Sequence, residues 1–298
     1  MGGPGMKAAI LVSLSVFVGG LALGQNIVLT DGSIIATKGI VRRSGDLIMA
    51  RVERQMPASA AGTVAAAAPV DEVGYPVQKI AKIEFPEPPQ LKAASALIAQ
   101  GKFAEANVQL DPVFRYYEGF RDAPGSWWSD ASVLRVSAFL SQGKDQEAAS
   151  LVDQLTRFAT EPKTTLAARA LSAALLTRRG EYARAVQLFE GVMKESAAPE
   201  VLAVAAIYKG QSHLGLKQYD PAVLAFLQIP VFFPEEKHLL PASTLGAARG
   251  YIGLEDRARA RETLERLIKD FPASPEAAQA KQELVRIDRI ESGSPPPK

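Results

Sequence analysis

The chain has 298 residues, a formal charge of +2 at neutral pH and no cysteine. This length allows a leader and two domains. The missing cysteine excludes disulfides, thiol nucleophiles and cysteine metal sites, and also the lipid anchor of bacterial lipoproteins, which requires a cysteine at the cleavage point. The near-neutral charge, with no basic face evident, argues against a nucleic-acid partner.

The first residues have the composition of a secretory signal peptide. Lys7 precedes the apolar run of residues 8–24, and Ala22-Leu23-Gly24 has the small-x-small pattern of a cleavage site. We therefore predict a signal peptide over residues 1–24, cleaved near Gly24-Gln25, and a secreted or periplasmic protein without stable membrane insertion. An uncleaved membrane anchor is the alternative, although the run is short for a membrane span.

Residues 25–86 have the pattern of short strands. Turn sequences at Asp31-Gly32 and Ser44-Gly45-Asp46 separate apolar strand segments, and residues 77–85 form the last predicted strand, with a bend or single turn near its start. The alanine-rich segment 56–74 is predicted to be a mobile loop. The strand pattern resembles the Sm-like modules that precede helical repeats in bacterial envelope proteins. This resemblance implies a small SH3-like or Sm-like β-barrel.

A proline-rich linker, predicted over residues 87–91, leads into a five-fold repeat. Each repeat has an alanine after a turn, and these alanines are 42, 37, 37 and 38 residues apart: Ala106, Ala148, Ala185, Ala222 and Ala260. Bulky apolar residues follow four and seven positions after each alanine, which is helical spacing. The residue twelve positions before the alanine is Ala or Gly in four of the five repeats. Such a small side chain allows the two helices of a repeat to approach closely. Each repeat is therefore predicted to be a helical hairpin.

The repeats resemble the tetratricopeptide repeat (TPR) over roughly residues 90–290. Ala222, Phe226 and Pro234 reproduce the A-x3-F…P part of the TPR pattern, and the fifth repeat has Leu in place of Phe. The period exceeds the usual value of about 34 residues, and the first-helix Trp is absent. Residues 269–280 look like the closing repeat of bacterial cell-envelope members, such as the lipoprotein that assists outer-membrane β-barrel assembly and the periplasmic coordinator of the Tol–Pal system.

These patterns predict an α+β protein in which a small β-barrel module precedes a mainly α, TPR-like solenoid of about five helical hairpins over residues 92–291. Residues 279–290 have the polar face expected of a capping helix, and residues 292–298 are predicted to be a disordered tail. Stacked hairpins leave a concave groove, which is typical of proteins that bind other proteins.

Residues with catalytic or metal-binding chemistry are sparse. The chain has two histidines. His213 occupies a position that is bulky in every repeat, which predicts a core or groove residue. His238 follows Glu235-Glu236-Lys237, which predicts a solvated surface residue. Because P-loop, dinucleotide-binding and H-E-x-x-H motifs are missing from the sequence, we predict no catalytic site, no metal and no cofactor.

The predicted groove positions of the third to fifth repeats are mostly small or apolar. Arg178, Gln211 and Arg249 are the polar exceptions and are candidate partner-binding residues; the other positions are Ala170, Ala174, Ile207 and Leu245. A clamp on a C-terminal carboxylate needs several converging donors, so we expect none here. We expect an apolar helix or extended segment in the groove, with one acid meeting Arg178 or Arg249. The alternative is a groove filled by the capping helix or the barrel.

Two aromatic clusters lie in the long connection between the first and second repeats. Tyr116 and Tyr117 follow the first repeat, and Trp127 and Trp128 open the next helix. One interpretation is that these rings pack the barrel against the solenoid. The other is that all four are partner-binding residues, because Tyr and Trp are frequent in interface hot spots.

The resulting functional prediction is a non-enzymatic periplasmic scaffold or adaptor that binds other cell-envelope proteins. The alternative is an accessory or catalytic module of a peptidoglycan-acting enzyme system, which would act through the N-terminal barrel. A convergent polar site would favour the alternative, and the sequence alone indicates none.

Overall fold

A computed structural model of the chain describes residues 25–54, 69–159 and 161–292. The chain divides into two compact units, residues 1–86 and 87–298. The predicted signal peptide lies outside the described residues, as do the first part of the predicted loop and all but one residue of the predicted tail. Within the described ranges, no helix is long and apolar enough to cross a membrane.

The first unit consists of short antiparallel strands. In the described residues these are β1 (Asn26–Leu29), β2 (Ile34–Ala36), β3 (Arg42–Ser44), β4 (Leu47–Glu53), β5 (Val70–Pro76) and β6 (Ile80–Glu84). Strand β1 lies between β2 and β6 in one sheet, and β4 lies between β3 and β5 in the other. The predicted turn between β1 and β2 is present: the Ser33 N–H donates to the Asp31 carboxylate at 2.8 Å, and Gly32 has a φ of 86°, which glycine adopts without strain.

Each of the two sheets has fully buried apolar residues, but the sheets do not form a closed barrel. Ile27 and Ile83 of the first sheet and Ile48 of the second are fully buried. A backbone hydrogen bond runs from the Lys38 N–H, which follows β2, to the Arg51 carbonyl of β4 at 2.7 Å. The predicted barrel is corrected to two three-stranded sheets. The physical reason is that β2 and β3 have only three residues each, too few to continue the hydrogen-bond ladder around a barrel.

The second correction concerns the predicted loop over residues 56–74. Its last residues belong to β5, which pairs with β4 from Val70 opposite Glu53 to Pro76 opposite Leu47. The long strand β4 offers backbone groups for pairing, and this tertiary contact outweighs the weak local strand propensity. The bend predicted before the last strand is confirmed as a single 3₁₀ turn at Val77–Lys79.

The second unit is helical. Its α-helices in the described residues are α1 (Pro89–Ala99), α2 (Phe103–Tyr117), α3 (Trp128–Ser141), α4 (Asp145–Phe158), α5 (Pro162–Arg178), α6 (Tyr182–Glu195), α7 (Pro199–Gly215), α8 (Tyr219–Phe232), α9 (Leu240–Gly253), α10 (Arg257–Asp270) and α11 (Pro275–Ser292). The first ten form the five predicted hairpins, each of two consecutive helices. Helix α1 begins inside the predicted linker 87–91, because proline is favoured at the first helical position.

The core of the helical unit follows the predicted stripes. All five repeat alanines are completely buried, as are Leu110, Leu155 and Leu264 from the apolar stripe. The ring of Phe226 lies between two helices that present glycine to it. A β-carbon added at Gly210 of α7 would lie 2.9 Å from this ring, and one added at Gly246 of α9 would lie 2.4 Å from it. These glycines therefore allow α7 and α9 to pack closely on α8.

The turn inside every hairpin contains one residue in the left-handed conformation. In the first three hairpins this residue is glycine, with φ between 71° and 81° at Gly101, Gly143 and Gly180. In the last two it is Lys217, with φ of 59°, and Glu255, with φ of 60°. The turn geometry is therefore conserved between repeats even where glycine is replaced, at a cost in backbone strain.

The helical array curls so that its first hairpin meets its last elements. The Ser95 hydroxyl of α1 lies 3.4 Å from Nδ1 of His238, which precedes α9. A β-carbon on Gly101, in the α1–α2 turn, would lie 2.5 Å from Pro275 at the start of α11. Helix α11 covers the end of the array as predicted, with Ile287 buried in the cluster that includes Leu264.

Candidate functional site

A pocket of about 530 Å³, here called the groove pocket, opens among the N-terminal halves of α1, α3, α5 and α7 and the loop before α9. Its volume is in the range of ligand-binding clefts. One part of its wall is apolar and is formed by Leu91, Trp127, Val133, Leu134, Ala167, Leu171, Val201 and Val204. The other part is charged and consists of Glu87, Lys92, Asp130, Lys163, Glu200, Glu235, Glu236 and Lys237, with Ser95 and His238 beside them.

Lys163 lies in the middle of a charged row that crosses the starts of α3, α5 and α7. Its ammonium group donates to the Asp130 carboxylate at 2.9 Å and to Glu200. Both acids lie in the first turn of their helices, where the helix dipole favours negative charge. Burial by itself lowers the pKa of Lys163, but the two carboxylates outweigh it and raise the pKa. Lys163 therefore stays charged and is paired within the protein.

Glu236 belongs to the same cluster but has no lysine or arginine partner among the described residues. The ring of His238 lies beside it, with Nδ1 3.6 Å from Glu236 Oε2. Burial raises the pKa of Glu236 to about 7, repulsion from Glu200 and Asp130 adds to this effect, and Lys163 opposes it. Glu236 is thus a carboxyl group that is only partly ionised at neutral pH, with 25% of its side chain exposed.

His238 was predicted to be a solvated surface residue, and this prediction is wrong. Its side chain is only 2% exposed, because the loop after α8 folds inward against α1. Burial lowers the pKa of His238 to about 4, so the ring is neutral at neutral pH. Its Nδ1 faces Glu236 and Ser95, whereas its Nε2 is buried without a hydrogen-bond partner among the described residues.

The structure therefore brings together a convergent polar site that the sequence did not indicate. Its geometry differs from that of a Ser-His-acid triad. Ser95 and Glu236 both face Nδ1 of His238, whereas a triad requires the acid and the serine on opposite ring nitrogens. No group of three or more His, Asp or Glu suited to a metal ion occurs in the described part of the chain. The available chemistry is that of hydrogen-bond acceptance and negative charge beside an apolar wall.

The basic residues predicted to contact a partner already have partners within the chain. Arg178 Nε lies 3.2 Å from the Asp145 carboxylate of α4. Arg249 contacts α11, with its guanidinium 3.5 Å from Glu283. Gln211 is half-buried on α7. The side chains of Arg178 and Arg249 are still 41% and 42% exposed, so a contact between either of them and an incoming acid stays a prediction, and that acid would compete with Asp145 or Glu283.

The groove positions predicted to be accessible are largely closed. Ala170, Ala174, Ile207 and Leu245 are at most 3% exposed, because neighbouring helices of the array pack on them. The other predicted groove or core residue, His213, is also buried, and its Nδ1 lies 2.7 Å from Gln218 Oε1. The accessible part of the groove is therefore displaced towards the N-terminal ends of the first helices.

The two tryptophans have different environments. Trp128 is 2% exposed and packs edge-on against Phe114 of α2 and Phe158 of α4, with ring centroids 6.3 and 6.2 Å away. It therefore joins two hairpins of the helical unit. Trp127 is half-buried and lines the groove pocket. A partner contact by Trp127 remains a prediction, and its position makes this contact sterically possible.

The two tyrosines are the last residues of α2 and form a compact cluster with Phe120, which follows the helix. Tyr117 is 4% exposed, and Phe120 is 3% exposed. The ring of Tyr116 lies 4.8 Å from that of Tyr117 and 5.5 Å from that of Phe120. Burial raises the pKa of the Tyr117 hydroxyl above its usual range. Of this pair, Tyr116 is the more exposed, and its role as a partner-binding residue stays a prediction.

Three pocket residues that were not predicted to form a site occupy the same position of successive repeats. Lys163, Glu200 and His238 each precede a repeat alanine by 22 residues, the alanines being 185, 222 and 260. Equivalent positions of successive repeats are neighbours along a solenoid, so three ionisable residues at one position predict a row of charges. Asp130 and Glu236 do not share this position and were visible only in the structure.

Comparison with known proteins agrees with this architecture. Residues 243–274, which span most of α9 and all of α10, match the family model described as tetratricopeptide repeat. A search of curated proteins gave no significant match. The match and the series of helical hairpins together support a TPR protein, and TPR arrays generally bind protein partners.

Proposed function

We propose that the chain is a non-enzymatic adaptor of the bacterial cell envelope, exported to the periplasm, which holds a segment of a partner protein in the groove pocket. The observation that carries the proposal is the groove pocket itself. It combines an apolar wall with a charged wall inside a curved TPR-like array. A bound segment would bury its apolar side chains on α3, α5 and α7, as expected for peptide-binding grooves.

The cellular location in this proposal is supported by the composition of the N-terminal residues. A single lysine precedes an apolar run that ends in Ala22-Leu23-Gly24, and this order is typical of cleaved secretory leaders. The resemblance of residues 269–280 to envelope TPR proteins points to the same compartment. The non-enzymatic character is supported by the arrangement of Ser95 and Glu236 on one nitrogen of His238.

Site-specific photo-crosslinking in the native host tests the proposal. A photoreactive amino acid at Val133, which lines the groove pocket, is expected to form a discrete adduct with a periplasmic or outer-membrane protein. The same amino acid at Glu265, an exposed position on α10, is the control and should not give this adduct. Identical adducts from both positions, or cytoplasmic partners only, would contradict the proposal.

A further inference from the structure

We propose that the groove pocket selects a partner segment that carries a basic side chain, arginine or lysine, between apolar residues, and that Glu236 receives the positive charge. This inference depends on the proposed function, because it specifies which segment an adaptor of this kind would hold.

The charge balance of the groove pocket is negative. Its lining contains five carboxylates and three ammonium groups. Lys163 is already shared by Asp130 and Glu200, so these two acids keep one excess negative charge. Glu236 adds up to one further negative charge, according to its ionisation, and has no lysine or arginine partner among the described residues. A bound cation therefore meets uncompensated carboxylates, whereas a bound anion would meet repulsion.

Two hydrogen-bonding groups face Nδ1 of His238, the Glu236 carboxylate and the Ser95 hydroxyl. The carboxylate of Glu236 faces Nδ1 of His238, which favours the ring proton on that nitrogen. Nε2 then carries a lone pair, and this atom is buried without a partner in the described residues. The accessible acceptor is the Glu236 carboxylate, since 25% of the Glu236 side chain is exposed. A guanidinium or ammonium group supplies several N–H donors and no acceptor, so it can both donate to this carboxylate and compensate its charge.

The apolar wall fits the remainder of such a side chain. Arg and Lys have long aliphatic stems that pack on apolar surfaces while the charged group reaches a polar one. Val133, Leu134 and Val201 line the groove pocket together with the half-buried ring of Trp127. A divalent metal ion fits less well, because no metal-binding group of His, Asp or Glu is found in the described residues.

Occupation of the site is coupled to the ionisation of Glu236. The charged groups that interact with Glu236 are Asp130 on α3, Lys163 on α5, Glu200 on α7 and Glu235 of its own loop. The groove pocket is lined in addition by Lys92 and Ser95 on α1 and by Lys237 and His238 of that loop. With a pKa of about 7 in the free protein, the ionised fraction of Glu236 rises about ten-fold between pH 6 and pH 8. Binding of a cation to the ionised form should strengthen by the same factor and should release a proton.

Four capped peptides of sequence acetyl-Leu-Ala-X-Ala-Leu-amide test the inference on the exported chain by isothermal titration calorimetry. X is Arg, Lys, citrulline or Glu. We expect the Arg and Lys peptides to bind at least about ten-fold more tightly than the citrulline peptide, which has nearly the shape of Arg without its charge, and the Glu peptide to bind most weakly. Titrations in buffers of different ionisation enthalpy should show proton release with the Arg peptide.

Variants separate the role of Glu236 from general electrostatics. Glu236→Gln should remove both the preference for Arg over citrulline and the pH dependence. Glu265→Gln removes one negative charge outside the groove pocket and should keep both. Thermal unfolding of each variant at the titration pH shows whether the protein is folded.

The outcomes distinguish this inference from the proposed function. Equal binding of all four peptides overturns the inference and leaves an adaptor without charge selection. Arg preference that survives in Glu236→Gln also overturns it. The inference is also overturned if none of the four peptides binds. An adduct between Val133 and another segment of this same chain overturns it as well, because that segment would then occupy the groove pocket. The photo-crosslinking result judges the proposed function separately.

Discussion

Replacing Glu236 by glutamine should stabilise the protein at alkaline pH and much less at acidic pH. The side chain is three-quarters buried, and its pKa is raised from 4.5 to about 7. A group whose pKa is raised by folding contributes stability below its unfolded pKa and loses it as pH rises through the folded value. Ionisation of Glu236 therefore opposes folding progressively between pH 4.5 and pH 7.

The magnitude follows from the two pKa values. The rise of the Glu236 pKa from 4.5 in the unfolded chain to about 7 in the folded protein lowers the free energy of unfolding by about 3 kcal/mol at pH 8, where the carboxyl group is ionised in both states. At pH 5 the same calculation gives less than about 1 kcal/mol. The remaining exposure of the side chain reduces these figures, so we expect the advantage of Glu236→Gln to grow by about 2 kcal/mol from pH 5 to pH 8.

Urea unfolding measures this difference. Both tryptophans of the chain, Trp127 and Trp128, lie at the start of α3, so their fluorescence reports on the helical unit. The midpoint for Glu236→Gln should exceed that of the parent at pH 8 with an unchanged urea dependence. Glu265→Gln, an exposed carboxylate on α10, is the control. A stability difference that is equal at both pH values, or that the control reproduces, would refute the burial argument.

Three further predictions concern other parts of the chain. Gly210→Leu should lower the free energy of unfolding by roughly 1–3 kcal/mol or more, because the leucine side chain would collide with the ring of Phe226. Gly191→Leu is the control, because its side chain would meet only the end of Arg169. Equal thermal unfolding midpoints for the two variants would contradict the packing of Phe226 on Gly210. Lys217→Gly and Glu255→Gly should each raise the free energy of unfolding by about 1 kcal/mol, because both residues have positive φ, which glycine adopts without strain. A loss of stability of either variant in urea unfolding would argue against strain at these turns. N-terminal sequencing of the exported chain should begin at Gln25 or a near neighbour, and recovery only in membranes with residues 6–24 intact would exclude cleavage.

The residue pattern within single repeats was sufficient to predict the helical array. The repeat alanines, the apolar residues four and seven positions later, and the small residues of the preceding helix are all properties of one hairpin, and the structure buries them as expected. The turns are equally local: Lys217 and Glu255 adopt the conformation of the glycines at the equivalent positions. Helical periodicity fixes which face of each helix is buried, so the sequence could indicate these contacts.

The strand unit was less predictable because strand pairing is not local. The pattern of β1, β2 and β6 was recognisable, but closure into a barrel depends on strand lengths and on how the two sheet edges meet. The composition predicts a loop over residues 56–74, which includes Val70–Gly74 of β5, because this segment is rich in alanine. The pairing of β5 with Leu47–Glu53 comes from backbone hydrogen bonds to a distant strand, which no local composition reveals.

The sequence by itself determined the hairpins, their period, their buried stripes and their tight turns, since each of these depends on residues within one repeat. Only the tertiary structure decided the binding surface. The contact between Ser95 and His238 joins residues 143 positions apart, and it exists because the array curls. This curvature buries His238 and places Glu236 beside Asp130 and Glu200. Burial and charge pairing depend on the sum of small rotations between hairpins, so the acidic character of the groove pocket could not be derived from any single repeat.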